Sequence, residues 1–445
     1  MQQTAAPLLH TDYLVIGSGA MGMAFVDTLL TESDAHVVIV DRHLGPGGHW
    51  NDAYPFVRLH QPSSIYGVNS RNLGSDALEG PGFNQGLYER ATAAELVSYY
   101  QQVMQDFVRS GRVQYFPMCD YVGEQDGVHR LQSRISGQTH SVQVRKKLVD
   151  STYFNTAVPS THTPSYTVAA GVHCITPNDL PRRAGGHSGY VVIGAGKTAL
   201  DTCLWLLENG ADPHTITWIM PRDAWHYNRA LVPQAEEFAQ QWLTSADPPL
   251  LDDSTEDRER VQQFFLAAEQ AGLMLRMDAA IAPRMFHSAT VSPAEWDALR
   301  NLPHIVRLGR VKHIAETHVE LEQGLLASDR QRLYIDCSAS AVQRRPTVPV
   351  FQGSRITLQM LRWPAPTFSA ALTAYLEAHG LDDAHNNALS TPLYMPDDPA
   401  DWLRLSLLNA SNMQAWFAHP GLLQWVVQSR LSGLVMLEQT PSENV

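Results

Sequence analysis

Cysteine is scarce in this 445-residue chain: Cys119, Cys174, Cys203 and Cys337 are its four, and no two lie close in sequence. Zinc ribbons and local redox dithiols both need a close pair, so the sequence signals neither a metal site nor a dithiol. No run of about twenty apolar residues exists, and no membrane-spanning helix is expected. Basic residues are also few: 32 Lys and Arg stand against 45 Asp and Glu, a formal charge of −13. Such a surface repels nucleic acid and anionic lipid, and no basic cluster overrides it. Repeats and low-complexity tracts are missing too. Met1 to Thr11 reads as a short polar lead-in without the basic and apolar regions of a signal peptide, so the cytoplasm is the expected compartment. What is present is an ordinary globular composition, 44% hydrophobic and 17% charged, in a chain long enough for two or three domains.

The informative part begins at Tyr13-Leu-Val-Ile16, a short apolar run of the kind that forms a buried parallel strand. It enters Gly17-Ser-Gly19-Ala-Met-Gly22, and Met23 to Leu30 then reads as an amphipathic helix. The order has a physical purpose. Gly17 permits the tight turn, Gly19 lets the backbone approach a pyrophosphate, and Gly22 lets the helix pack close to the strand. A second apolar run, His36 to Val40, ends in Asp41, where an acid can hold a ribose 2′-OH.

After Asp41 comes Arg42-His-Leu-Gly-Pro-Gly47-Gly48-His49-Trp50, followed by Tyr54-Pro55, Arg58 and Tyr66-Gly-Val-Asn69-Ser70. Here the chain resembles the flavin-containing and Baeyer-Villiger monooxygenases, in which an acid at the second strand end is followed by Gly-Gly-x-Trp beside FAD. The resemblance implies FAD at the first turn. The residues agree: Gly47 and Gly48 permit close backbone approach, Trp50 offers a flat apolar wall, and Arg58, His60 and Gln61 are donors for flavin or ribityl oxygens. Asn69, by its match to the Asn of the flavin-containing group, is the candidate catalytic donor near the reacting flavin atoms.

A second signature follows at Tyr190-Val-Val-Ile193, which enters Gly194-Ala-Gly196-Lys197-Thr198-Ala199 and a helix from Leu200 to Glu208 closed by Asn209-Gly210. The next strand, Thr215 to Met220, ends without an acid, and Pro221-Arg222-Asp223 follows. An arginine there can clamp a 2′-phosphate, with Lys197 adding to it, so NADPH is expected over NADH. The alternative is that Arg222 is a solvated charge and Asp223 takes the ribose.

Together these readings give an α/β fold with two Rossmann-like dinucleotide-binding domains, the NADP domain inserted in the FAD domain, and helical C-terminal additions. The expected domains are 10–165 for the first part of the FAD unit, 166–325 for the NADP unit with a helical insertion, and 326–445 for the return part and the helical C-terminal region. Leu148 to Tyr153, after an antiparallel meander from Val113 to Val144, marks one crossing, and Leu333 to Ala339 is the corresponding return strand. The stretches 223–330 and the C-terminal hundred residues read as largely helical, for example Arg258 to Gly272.

The resemblance implies an NADPH-driven monooxygenase that oxidises a small molecule with O2 by way of a C4a-peroxyflavin, through N- or S-oxygenation or Baeyer-Villiger oxygen insertion. One departure stands against it. The Phe-x-Gly-x-x-x-His fingerprint of both groups is absent, and the nearest stretch, Pro159 to Tyr166, offers only His162 and an aromatic. A flavin reductase, dehydrogenase or oxidase on the same scaffold stays open, as does a non-catalytic dinucleotide-binding protein. The sequence allows a homodimer and names no substrate.

Overall fold

The computed structural model describes residues 7–245, 254–340 and 344–434. The first six residues of the expected lead-in therefore lie outside the described part. Its remainder is not a free lead-in: the first strand spans Leu9–Ile16, and Leu9 to Thr11 pair with Val142 to Val144.

That strand is the centre of the first sheet. Val37–Val40 lies parallel on one side of it and Thr139–Asp150 parallel on the other. All four residues of Val37–Val40 are buried, as a strand covered on both faces requires. Helix Ala93–Arg109 then carries the chain to Val113–Phe116, which pairs parallel to Val37–Val40. The expected meander therefore starts later, at Cys119–Gln125, and continues antiparallel through Val128–Ser133 into Thr139–Asp150. A crossover helix returns the chain in the same direction and so dictates a parallel strand at Val113, which the alternation of side chains alone does not reveal.

The second sheet has five parallel strands, in the order His304–Val306, Ile216–Ile219, Tyr190–Ile193, Leu333–Asp336, His173–Ile175. Leu333–Asp336 is a fully buried strand as expected, but it belongs to this second sheet. The chain regains the first sheet at Phe351–Gln352, which pairs antiparallel with Arg355–Thr357, and that strand in turn pairs with Leu148 to Asp150. A four-residue apolar strand fits either sheet, and only the partner it meets decides.

Between the sheets' strands, the middle region is mixed and not largely helical. Helices Val232–Leu243, Thr255–Gln270 and Pro293–Arg300 share it with a three-stranded sheet, Met274–Arg276, Trp225–Asn228 and Thr290–Val291. A second small sheet includes the antiparallel run from Val311 to Ala327. The C-terminal part is helical: Pro366–His379 packs on helix Ala20–Glu32, and Pro399–Phe417 brings Trp402 into a nest of Phe264, Phe265, Phe286 and Tyr227. Among the described residues no helix is long and apolar enough to cross a membrane.

A single C-terminal arginine fixes the loop that carries Asn69. The Arg430 guanidinium donates to the carbonyl oxygens of Val68 at 2.9 Å, Tyr66 at 2.9 Å and Arg71 at 2.6 Å, and also to that of Ser64. From the other side, the buried carboxylate of Asp27 accepts from the Ser70 amide at 3.0 Å and from its hydroxyl. Removing a charged donor that several carbonyls share leaves them unsatisfied. Arg430→Met is therefore expected to cost about 3 kcal/mol of folding stability, read as the shift of a urea-unfolding midpoint; an unchanged midpoint would show that water replaces the guanidinium freely.

Candidate functional site

The first glycine turn is built by contacts that leave no room for side chains. Gly17 has φ +93°, and a Cβ on Gly22 would lie 2.3 Å from the Gly17 carbonyl oxygen. Gly19 is the N-cap of helix Ala20–Glu32, which has no side-chain cap and no acid in its first turn. The opening N–H groups of that helix are thus available to an anion. Gly48, at φ +56°, lies over this end: a Cβ there would come within 2.8 Å of the Gly19 Cα. Gly17, Gly19, Gly22 and Gly48 therefore meet in one place.

Asp41 joins them, but with its carboxylate occupied. Its Oδ2 accepts from the Ser18 amide at 2.6 Å and the Ser18 hydroxyl at 2.8 Å. Its Oδ1 accepts from the His43 amide at 2.8 Å and pairs with His43 Nδ1 at 2.9 Å. A carboxylate has about four acceptor directions, and Ser18 and His43 take all of them. His43 bridges onward to Asp52 at 2.8 Å. The hydrogen bond to Asp41 raises its pKa above the ordinary value, with Asp52 adding to this and burial opposing it. Sequence reasoning missed both partners of Asp41, although Ser18 stands inside the fingerprint.

Trp50 is half-buried and its indole donates to the Tyr66 hydroxyl at 3.0 Å. Beyond it, the segment that leads to Arg58, His60 and Gln61 is tied to the second helix. The Tyr54 hydroxyl donates to Asp201 at 2.7 Å, and Asp201 also pairs with Lys197. His60 is half-buried among cations: burial, then Lys197, Arg229 and Arg90, push its pKa well below the ordinary value and keep the imidazole neutral. The His60 carbonyl accepts from Thr290 at 3.1 Å. Gln61 is half-buried, whereas Arg58 is exposed and donates to the Arg90 carbonyl at 3.1 Å. Around them Arg229 pairs with Glu295 at 2.8 Å, and Glu295 accepts from Asn84 at 2.7 Å.

The second turn repeats the first in its essentials. Gly194 has φ +138°, and a Cβ on it would lie 2.4 Å from the Cys337 carbonyl oxygen. Gly196 caps helix Lys197–Glu208 without a side-chain hydrogen bond and has open space around it. Thr198 is half-buried in the first turn of that helix. Lys197 is held to Asp201, and burial lowers its pKa although Asp201 opposes this.

The crossings supply a correspondence the sequence did not show. At Asp150-Ser151-Thr152 the Thr152 amide and hydroxyl donate to Asp150 at 2.9 and 2.7 Å, while Ser151 donates to the Gly17 carbonyl at 2.9 Å. At Asp336-Cys337-Ser338 the Ser338 amide and hydroxyl donate to Asp336 at 3.1 and 2.6 Å, beside Gly194. Each glycine turn thus rests on an Asp-anchored turn of the neighbouring strand.

Asn69 lies in the loop gripped by Arg430, and its Oδ1 accepts from Ser429 at 2.9 Å. Arg222 is exposed and makes a long pair with Asp397, at 3.3 and 3.4 Å. Asp223 is buried and bound on both oxygens by Arg307, at 3.0 to 3.2 Å. His162 is half-buried behind the short turn Pro159–Thr161.

No family model matches the chain. Over 436 residues it is 44% identical to the uncharacterized protein Rv2000 of Mycobacterium tuberculosis, covering 98% of this chain and 80% of the relative. The same figures hold for the uncharacterized protein Mb2023 of Mycobacterium bovis. Among solved structures, the polycyclic ketone monooxygenase of the thermophilic fungus Thermothelomyces thermophila is similar at a TM-score of 0.54 and 11% identity, over 85% of this chain and 76% of that one. A cyclohexanone monooxygenase bound to ε-caprolactone is similar at 0.50 and 14%, over 92% and 99%. The complex of OTEMO with FAD and NADP is similar at 0.50 and 14%, over 83% and 84%. At these identities the likeness is one of fold.

The Asp41–His43–Asp52 chain has a pH signature. His43 holds its proton more tightly folded than unfolded, so its contribution is complete below its ordinary pKa and is lost as pH rises through the raised folded value. His43→Gln is expected to flatten the loss of stability over the interval that starts at the ordinary histidine value of 6.5 and runs into alkaline pH, measured by denaturant unfolding at each pH. A variant that loses as much as the parent over that interval would show that His43 is not protonated in the fold.

Proposed function

The chain belongs to the family of the mycobacterial proteins Rv2000 and Mb2023, and we propose that it is an FAD-dependent oxidoreductase that takes hydride from NADPH and oxidises a small molecule with O2. The observation that carries this reading is the pair of glycine turns: in each of two separate sheets a parallel strand enters an uncapped helix N-terminus, where neither Gly22 nor Gly194 can carry a Cβ. Bare backbone and unpaired N–H groups at a helix start fit a pyrophosphate, and a purely structural turn needs neither.

In this reading Gly17, Gly19, Gly22 and Gly48 hold the FAD pyrophosphate, and Gly194, Gly196, Lys197 and Thr198 hold that of NADPH. The FAD unit is formed by the strands before Asp150 and after Phe351, and the NADP unit by those between His173 and Asp336. Bound FAD supplies the redox chemistry, accepting hydride from NADPH and, once reduced, delivering electrons to O2. The protein's part is positioning. Asp41, tied to Ser18 and His43, stiffens the turn and reaches a ribose hydroxyl only by releasing one of those partners. Lys197 exchanges Asp201 for a phosphate. Neutral His60, between the FAD-side segment and the second helix, donates or accepts without adding charge. Asn69, its amide oriented by Ser429, offers N–H donors to the oxygen being transferred.

A second reading, a reductase that passes electrons to an organic acceptor, is favoured by the absent Phe-x-Gly-x-x-x-His. The two separate in experiment. The purified protein is expected to be yellow and to release FAD on denaturation, and Gly19→Val is expected to abolish flavin binding because its side chain occupies the phosphate position; full retention of flavin in that variant overturns the assignment. Asn69→Ala is expected to keep the colour and the bleaching by NADPH while product formation falls about a hundredfold and the consumed NADPH appears as hydrogen peroxide. Rapid electron transfer to a quinone without O2, unchanged in Asn69→Ala, establishes the reductase.

A further inference from the structure

We infer that Arg307 decides between the two nicotinamide dinucleotides: it is the second arm, with Arg222, of a clamp on the 2′-phosphate, and its hold on Asp223 withdraws that acid from ribose recognition. The inference rests on the reading of the second turn as the nicotinamide-dinucleotide site and adds a residue distant from it in sequence.

Strands Ile216–Ile219 and His304–Val306 are parallel neighbours in register Ile219 to Val306, and the Met220 amide extends the pairing by donating to Val306 at 2.9 Å. Arg222, Asp223 and Arg307 therefore leave the sheet at the same edge, the carboxyl end where Gly194 also turns. In a parallel dinucleotide sheet the adenosine ribose lies beyond the end of this second strand, and an acid there selects the free 2′-OH. Asp223 is that acid by place. It is only 9% exposed, however, and Arg307 Nε and Nη2 fill both of its oxygens. The pairing cancels the charge that would repel a phosphate and uses only part of the five-donor guanidinium.

The other charges at this edge are loosely held. Arg307 Nη1 is 4.0 Å from the exposed Asp278, and Asp397 is shared between Arg222 and His287. The Arg222–Asp397 pair is long and half exposed on both sides, so solvent screens it and an incoming phosphate displaces Asp397 easily. Arg307 need not leave Asp223 at all. A bidentate pair on a buried carboxylate next to an exposed, weakly paired arginine is thus a fixed arm beside a movable one.

The test is equilibrium binding of NADP+ and NAD+ to the full-length protein by calorimetry, checked with 2′,5′-ADP and 5′-AMP. The parent is expected to prefer NADP+. Arg307→Ala is expected to lose about tenfold or more in NADP+ affinity while NAD+ binds as well as before or better, because the bared Asp223 carboxylate now accepts the 2′-OH. If baring Asp223 prevents folding, the double variant Asp223→Asn with Arg307→Gln keeps the hydrogen bond without charge; it is expected to lose NADP+ affinity with no gain for NAD+. Equal weakening of both dinucleotides, or undiminished NADP+ binding in these variants, overturns the inference. A parent protein that binds none of the four ligands overturns the nicotinamide reading itself, which is a separate failure.

Discussion

Two close backbone approaches, one at each glycine turn, are the constraint on which the rest of the arrangement depends. Helix Ala20–Glu32 lies so near the turn before it that a single methyl group at Gly22 would overlap the Gly17 carbonyl, and the Gly194 turn lies as near to Cys337. These approaches set the height of each helix over its sheet. They also aim each helix N-terminus past the strand end, with no side-chain cap on its first N–H groups. Packing that close cannot be relaxed by a rotamer change, so the geometry of both turns is as rigid as the sheets that carry them.

A second level of order comes from charge. The segment Tyr54 to Gln61 and the second helix are joined through Tyr54, Asp201 and Lys197, and Arg229, Glu295 and Asn84 extend the network into the middle region. Buried ion pairs contribute little net stability compared with apolar packing, but breaking one leaves an uncompensated charge. The network therefore acts chiefly to specify how these elements meet. Because Lys197 is both a member of the network and the first residue of the second helix, a ligand phosphate that draws it away changes the partner of Asp201 and, through it, of Tyr54.

The chain end contributes in the same manner. Ser429 and Arg430 reach back across the sequence to orient Asn69 and to gather the carbonyls of its loop. The loop contains Gly67 at φ +96°, and its carbonyls turn inward, a conformation that an apolar environment would penalise without the guanidinium. Asp27, on the first helix, closes the loop from the opposite side, so the candidate donor is referenced to the helix that begins at the first glycine turn.

The sequence by itself determined the local parts. Strand, glycine turn and helix were legible twice, because a buried parallel strand is a run of apolar residues and a close backbone approach demands glycine; both signals are confined to a few adjacent residues. The parallel partner of Val113, the sheet that Leu333–Asp336 joins and the strands of the middle region were not legible, since each depends on which distant segment supplies the next hydrogen-bonding edge. The same limit governed the site. Asp41 could be read as an acid at a strand end, but not as a carboxylate already filled by Ser18 and His43. Asp223 stood beside Arg222 in the sequence, yet only the tertiary structure brought Arg307 to it, because the two are joined by neighbouring strands of one sheet and not by the chain. Side-chain chemistry is written in the sequence; the partners that hold each side chain at work are decided where the chain meets itself.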